Sequence, residues 1–229
     1  MAAVTGIRRD AGGVPAMFIK CLDAFAVTLG LIGMGTQARA DQGSWQADTG
    51  RSQVAVHVAK RGLLSGMAHD HQFVPGRWSA TASFDPARPS DVQVEVVIIA
   101  ASLRDNQPKL SPEDRAKVDA LTAGPEVLDA TRYQEIRFTA TSFEPSVQAG
   151  LAGGRLQGLL VGTLSLHGQK RPLSVRVVAT ADGRGWRVRG AVAFKQTDFG
   201  IEPYSGFLGT IAVHDEVKVV CDLAMMPAR

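Results

Sequence analysis

The chain has 229 residues and a formal net charge of +3 at pH 7, with 45% hydrophobic and 21% charged residues. This composition is typical of a globular protein of one or two domains and excludes an intrinsically disordered chain. The small net charge, without a block of Lys and Arg, argues against nucleic-acid binding. The two cysteines are too few for a disulfide framework.

The first forty residues have the layout of a secretory signal peptide. From Met17 the sequence reads MFIKCLDAFAVTLGLIGMGTQARA, in which a lysine precedes an apolar stretch from Leu22 to Met34 and a small-x-small pattern ends at Ala40. We therefore expect an N-terminal extension and signal peptide over residues 1–40, with Met17 as the start and cleavage after Ala40. The mature protein is then periplasmic or secreted. An uncleaved anchor or an amphipathic helix is the alternative.

Residues 41–229 have the pattern of one all-β domain. Eight runs alternate apolar and polar residues: SQVAVHVAK, RWSATASFD, DVQVEVVIIAASL, EIRFTATSFE, RLQGLLVGTLSLHG, RPLSVRVVAT, WRVRGAVAFK and DEVKVVCDLA. Alternation with a period of two between turn residues is typical of half-buried antiparallel strands. About eight such strands predict a barrel or a sandwich. Gly158 and Gly162 inside one run predict a tight bend or the close approach of another group.

One segment, LSPEDRAKVDALTAG, carries the signals of a helix over about 111–123. Ser111 is placed as its N-cap, Pro112 occupies its first turn, and Gly124 ends it. A single helix among strands would suit the closure of one end of a barrel. Its apolar stripe consists of Val118 and Leu121.

The histidine pair in GMAHDHQF is the most reactive-looking feature of this domain. His69 and His71 lie two residues apart, so both imidazoles point the same way on an extended backbone. That spacing suits a transition metal, with His57 as the best third ligand. The further ligands would come from His57, His167, His214, Asp215 or Asp70, and none of these has recognisable metal spacing to the pair. The favoured interpretation is a polar turn in which Asp70 accepts backbone N–H bonds and the histidines orient it or lie at the end of a barrel.

No catalytic constellation is found in the sequence. It contains no Gly-x-Ser-x-Gly elbow. Cys221 shares an apolar row with Val217 and Val219, which predicts a core thiol. Without a paired base and nucleophile, the sequence predicts a protein that is not an enzyme and that needs no cofactor.

Three aromatic residues lie among glycines in the segment FGIEPYSGFLG: Phe199, Tyr204 and Phe207. A loop of this kind either gates the end of a barrel or plugs its core. The plug is favoured, and both interpretations stay open at this stage.

Four stretches resemble recurrent segments of the YceI-like family: WQADTGRSQVAVHVAK, PEVLDATRYQEIRFTATSF, LQGLLVGTLSLHGQKRPLSVRV and FKQTDFGIEPYSG…VHDEVKVVCDL. Together they extend from about Trp45 to Leu223, essentially the whole chain after the signal peptide. Gln134 stands where a proline is common in the family, and His57 where an aromatic residue is usual. The Ala-His-Asp-His turn replaces a glycine-and-basic turn. These departures indicate that the chain belongs to a side branch of the family that it resembles.

The resemblance implies a single antiparallel lipocalin-like β-barrel with one inserted helix, exported and holding a long-chain isoprenoid such as a quinone-type lipid. The Val, Ile, Leu and Phe rows agree with an apolar cavity. A packed structural or partner-binding barrel and a metal-binding protein are the alternatives. Transient membrane contact and the oligomeric state are left open. The residues expected at the interior and mouth of the barrel are His69, Asp70, His71, Phe73, Trp78, Val56, Val58, Phe84, Ile98, Phe138, Tyr204 and Phe207.

Overall fold

The computed structural model describes five stretches of the chain: 43–61, 70–85, 88–146, 154–206 and 211–228. All of them belong to one unit, Arg39–Arg229. The predicted signal peptide, His69 and Phe207 lie outside the described residues. Within these five stretches, no helix is long and apolar enough to cross a membrane.

The described residues form twelve antiparallel strands and one α-helix. The strands are β1 (Gly43–Ala47), β2 (Gln53–Arg61), β3 (His71–Pro75), β4 (Trp78–Asp85), β5 (Arg88–Ile99), β6 (Leu103–Asp105), β7 (Glu135–Pro145), β8 (Arg155–Leu166), β9 (Gln169–Asp182), β10 (Gly185–Lys195), β11 (Ser205–Gly206) and β12 (Ile211–Pro227). The helix, α1, spans Pro112–Ala123.

Eight of these strands close into a barrel. The hydrogen-bonded order is β1-β4-β5-β7-β8-β9-β10-β12, and it returns to its start because β1 also pairs with β12 through Trp45 and Pro227. The predicted single antiparallel barrel of about eight strands, with one helix inserted, is therefore confirmed.

The long strand β12 pairs with different strands at the two ends of the barrel. Its last residues pair with β1 and with the start of β10, whereas its residues 212–222 pair with β2. From β2 the wall continues through β3 to β6. A short 3-10 turn, Thr49–Arg51, separates β1 from β2, so the two strands lie along successive parts of β12.

A second 3-10 turn, Ala100–Ser102, interrupts the run DVQVEVVIIAASL, which the alternation predicts as one strand. The hydroxyl of Ser102 donates to the carbonyl oxygen of Ile99 at 2.7 Å and accepts from the amide of Arg77 at 3.0 Å. These side-chain bonds stabilise a turn that competes with the extended ladder. The run therefore forms two strands, β5 and β6, instead of one.

Helix α1 begins at the predicted cap. The Ser111 hydroxyl accepts a hydrogen bond from the amide of Asp114 at 3.1 Å, and Pro112 opens the helix. The helix packs against β6, where Asp119 accepts the amide hydrogen of Asp105 at 2.7 Å. Among the described residues, β6 has a strand neighbour on one side only, so α1 covers its other edge.

Two glycines of β8 allow the neighbouring strand β7 to pack closely, which is one of the two possibilities that the sequence indicates. A Cβ on Gly162 would collide with the carbonyl oxygen of Thr139 and lie 2.9 Å from Cζ of Phe138. On Gly158 a Cβ would lie 2.8 Å from Cζ of Phe143. The phenylalanine rings of β7 therefore lie over backbone positions that carry no side chain.

Residues 66–69 of the segment GMAHDHQF lie outside the described residues. Only Asp70 precedes the strand in the described part of the segment, and His71 already belongs to β3. Five residues are too few to show a clear alternation. Pairing with β2 on one side and with β6 on the other satisfies the backbone of this strand.

Candidate functional site

The barrel encloses a cavity of about 840 Å³. Each of the eight closed strands contributes to its lining, and so does α1. Most of the lining side chains are Val, Leu, Ile, Phe or Ala. Cavities that hold small ligands typically measure about 300–1,000 Å³ and are lined mainly by apolar groups. The barrel is therefore hollow, and the alternative of a fully packed barrel does not fit the structure.

The structure brings most of the predicted contact residues to this cavity. Trp78 is half-buried and packs against the hydrophobic core without lining the cavity. Asp70 is exposed and lies outside the lining. His69 and Phe207 are not among the described residues. The predicted residues that do line the cavity are Val56, Val58, His71, Phe73, Phe84, Ile98, Phe138 and Tyr204.

Many lining residues were not singled out from the sequence, although the alternation already marks the rows to which they belong. Cys221 lines the cavity together with Val217 and Val219, as a shared row predicts. Burial raises the pKa of the Cys221 thiol to about 11. This residue is therefore an unreactive, partly buried thiol facing the cavity.

Aromatic rings pack together at one end of the barrel. The ring centroids of Trp45 and Phe84 are 4.4 Å apart, and those of Phe84 and Trp186 are 5.4 Å apart. Trp45 and Trp186 pair with the last residues of β12, Pro227 and Met225. All three rings also line the cavity, so this end presents an apolar aromatic wall.

Helix α1 lies at the other end, where the first half of β12 pairs with β2. Its predicted apolar residues, Val118 and Leu121, line the cavity. Asp114 and Lys117 add charged groups to the same lining, and both side chains are exposed. Tyr204, which is 42% exposed, also lines the cavity, and its carbonyl oxygen accepts from the amide of Val213 near the start of β12. The polar end of the cavity is therefore the end that carries α1.

A histidine–carboxylate pair lies at this polar end. Nδ1 of His71 contacts Oδ2 of Asp105, whose side chain is fully buried. The other carboxylate oxygen of Asp105 accepts the amide hydrogen of Gln107 at 2.7 Å. The imidazole also stacks on Phe73, with 5.9 Å between ring centroids. These contacts hold the His71 ring in one orientation against the cavity.

Hydrogen bonds around this pair also connect α1, the segment that follows β6 and the residue that precedes β3. The Arg115 guanidinium of α1 donates to the carbonyl oxygens of Asp105 and of Gln107, the latter at 2.8 Å. The Gln107 side chain donates to the carbonyl oxygen of Asp70 at 2.7 Å. The Asp70 carboxylate accepts the amide hydrogen of Lys60 at 3.0 Å, which confirms its predicted role as an acceptor of backbone bonds.

The structure does not bring the predicted third metal ligand to His71. His57 alternates with Val56 and Val58, which line the cavity, so its side chain leaves the opposite face of the sheet. Its partner across the ladder is Gln72, not His71. The alternative of a metal site that His57 completes beside His71 therefore does not fit this register. Within the described stretches, no group of three or more His, Cys, Asp or Glu could hold a metal ion.

Comparison with known proteins gives one family match. Residues 45–225 match the YceI-like domain family. A UPF0312 protein of Pseudomonas fluorescens is 30% identical over 124 residues, which are 52% of this chain and 58% of that protein. The match thus spans less than two thirds of the relative's length.

Two solved structures share the fold at low sequence identity. BcnA of Burkholderia cenocepacia has a TM-score of 0.60 at 21% identity, over 78% of this chain and 98% of that one. A polyisoprenoid binding domain from Saccharophagus degradans, implicated in plant cell wall breakdown, has a TM-score of 0.57 at 14% identity. That comparison covers 82% of this chain and 100% of the domain. With the family match over most of its length and the same barrel architecture, the chain belongs to the YceI-like domain family.

Proposed function

We propose that this protein binds a long-chain isoprenoid-type lipid inside the barrel and sequesters or carries it without chemical change. The observation that carries the proposal is the apolar cavity of about 840 Å³. A hydrocarbon chain suits such a lining because each buried methylene contributes about 0.8 kcal/mol. The polyisoprenoid binding domain of Saccharophagus degradans, which has the same fold, supports this choice of ligand class.

The two ends of the cavity suit different parts of such a ligand. The aromatic wall of Trp45, Phe84 and Trp186 offers mainly apolar contact to the tail. The opposite end carries His71, Lys117 and other polar groups. A polar head placed there keeps its hydrogen bonds, whereas at the aromatic wall it would lose them on desolvation. We therefore place the tail against the aromatic wall and the head beside α1.

Organic extraction of the purified full chain, followed by mass spectrometry, tests the proposal. We expect an isoprenoid lipid in an amount close to one per chain. Val96→Trp should lower that amount because Val96 lines the cavity. Val97→Trp is the matched control, since Val97 lies on the other face of the same strand, paired with Ser79 and Arg137.

Circular dichroism would establish that both tryptophan variants keep the β structure. A wild-type chain that is consistently empty, and that also fails to bind added polyprenyl lipid, would overturn the proposal. Equal lipid content in the Val96 and Val97 variants would place the lipid outside the cavity.

We also propose that the protein works outside the cytoplasm after removal of residues 1–40. The support is the order of lysine, apolar stretch and small-x-small pattern between Met17 and Ala40. N-terminal sequencing of the protein from cell fractions tests this. A chain that starts at Asp41 in the periplasm or medium is expected, and an intact N-terminus in the cytoplasmic fraction alone would contradict it.

A further inference from the structure

We infer that His71 recognises the polar head of the bound lipid and that this head is a hydroxyl group, which donates its hydrogen to Nε2 of the imidazole. The inference rests on the proposed function, because it requires a lipid in the cavity. It adds the chemistry of the head and names the residue that selects it.

The first step concerns the position of His71. It lines the cavity beside Val58 and Phe73, and its side chain is 20% exposed. Val58 and His71 are paired across β2 and β3, at the end of the barrel that carries α1. A ligand head at this end would therefore meet an imidazole in a mostly apolar wall.

The second step concerns which ring nitrogen is free. The Asp105 carboxylate, when ionised, only accepts hydrogen bonds, and it receives them from Nδ1 of His71 and from the Gln107 amide. The proton of the neutral imidazole thus lies on Nδ1, and Nε2 keeps a lone pair. Among the described residues, none forms a hydrogen bond with Nε2 of His71.

The third step concerns how firmly this arrangement is held. The backbone of Asp105 is bound by two residues of α1, by Asp119 at its amide and by Arg115 at its carbonyl oxygen. The side chain of Asp105 is fully buried. In the neutral imidazole, a fixed carboxylate that accepts from Nδ1 keeps Nε2 an acceptor. Nε2 therefore selects for a donor on the ligand.

The last step concerns the size of the effect. A neutral hydrogen bond contributes modestly in net terms, but a buried acceptor without a partner is costly. A ligand that supplies a hydroxyl should therefore bind roughly five- to tenfold more tightly than the same ligand without one. Alcohol heads and hydroquinone heads share this chemistry and are told apart by the choice of probes.

Two matched pairs of probes test the inference on the full chain after its lipid has been removed. The first pair is a C20 polyprenol and its methyl ether. The second is an isoprenoid hydroquinone and its quinone. Within each pair the isoprenoid tail is the same, and only one member carries a hydroxyl donor. Displacement of a fluorescent lipid at pH 8 gives the dissociation constants.

The wild type should prefer the hydroxyl member in at least one pair, and the pair with the larger ratio identifies the head class. His71→Phe should bind both members equally and keep its affinity for the methyl ether. Asp105→Asn should weaken the preference, because an amide can donate to Nδ1 and move the ring proton to Nε2. His57→Phe, a histidine change on the outer face of the neighbouring strand, should keep the full preference.

Equal affinities within both pairs for the wild type, or a preference that survives His71→Phe, would overturn the inference and leave the proposed function standing. A preference for the quinone or the ether would also overturn it, since it would show that the site donates. Binding of none of the four probes would overturn both.

Discussion

The imidazole of His71 and the carboxylate of Asp105 are in direct contact, although 34 residues separate them along the chain. The contact joins β3 to β6 beside the cavity, and the backbone of Asp105 is in turn bound by α1. The polar end of the cavity is therefore built from side chains whose positions depend on one another.

Replacing Asp105 should destabilise the fold. Asp105→Ala leaves Nδ1 of His71 and the amide of Gln107 without a partner in a buried site. We expect the free energy of unfolding to fall by about 3 kcal/mol, measured by urea denaturation. Asp91→Ala is the control, because Asp91 is exposed on β5, and it should change stability by less than about 0.5 kcal/mol. A loss at Asp105 no larger than the control's would contradict the structural role given to this carboxylate.

A methyl group at Gly162 should also lower the stability of the fold. Gly162→Ala places a Cβ against the carbonyl oxygen of Thr139 and 2.9 Å from the ring of Phe138. Backbone cannot move aside without disturbing the ladder, so we expect a loss of about 2 kcal/mol in unfolding free energy. Gly50→Ala, where the nearest atom is Oδ1 of Asp48 at 3.4 Å, should be close to neutral. Thermal or urea unfolding compares the two, and similar stabilities would show that β7 and β8 are packed less closely than described.

The Cys221 thiol should react slowly with iodoacetamide. Burial raises its pKa to about 11, so little thiolate exists at neutral pH. In a Cys21→Ser background, where Cys221 is the single cysteine, alkylation at pH 7.4 should be about 100-fold slower than for an ordinary thiol. Its rate should rise as the pH is raised toward 11.

The same reaction also reports on the cavity. Added polyprenyl lipid should slow alkylation further, because Cys221 lines the cavity. Mass spectrometry follows the modification, and the chain unfolded in urea provides the reference rate. Alkylation of the folded chain as fast as that reference would show that the thiol is not buried.

The Asp222 carboxylate should make a contribution to stability that depends on pH. Burial raises the pKa of Asp222, but the hydrogen bonds from Arg187 and Arg189 together lower it by more. The pKa of this carboxyl therefore lies below its usual value. A lowered folded-state pKa stabilises the fold above the unfolded pKa of about 3.9, and this contribution is lost as the pH falls through the folded value. Asp222→Asn should therefore lower the free energy of unfolding by about 1 kcal/mol at pH 7. The value is modest because the side chain is 31% exposed.

Urea denaturation of the wild type and of Asp222→Asn between pH 2 and pH 7 gives the measurement. The difference between the two proteins should shrink below about pH 4. The control is Asp91→Asn, which removes an exposed carboxylate on β5. A difference for Asp222→Asn that stays constant over this range would contradict the pairing with the arginines.

The sequence by itself determined the elements whose signals are local. The alternation in DVQVEVVIIAASL shows which side chains share a face, and Val92, Val94, Val96 and Ile98 all line the cavity. Ser111 and Gly124 bound the helix because caps act on the backbone next to them. Glycine at position 162 indicated either a tight bend or a close approach, and the structure shows the close approach.

Only the tertiary structure decided how these elements combine. An inward-facing row looks the same in a packed barrel and in a hollow one, so the cavity appears only when β1 pairs with β12 and closes the wall. His57 was the best third ligand for a metal held by the histidine pair, but the register of β2 on β3 places it and His71 on opposite faces. The pairing of Phe73 with Asp105 across β3 and β6 gave His71 its carboxylate partner. Strand pairing is a contact between distant parts of the chain, and no local pattern contains it.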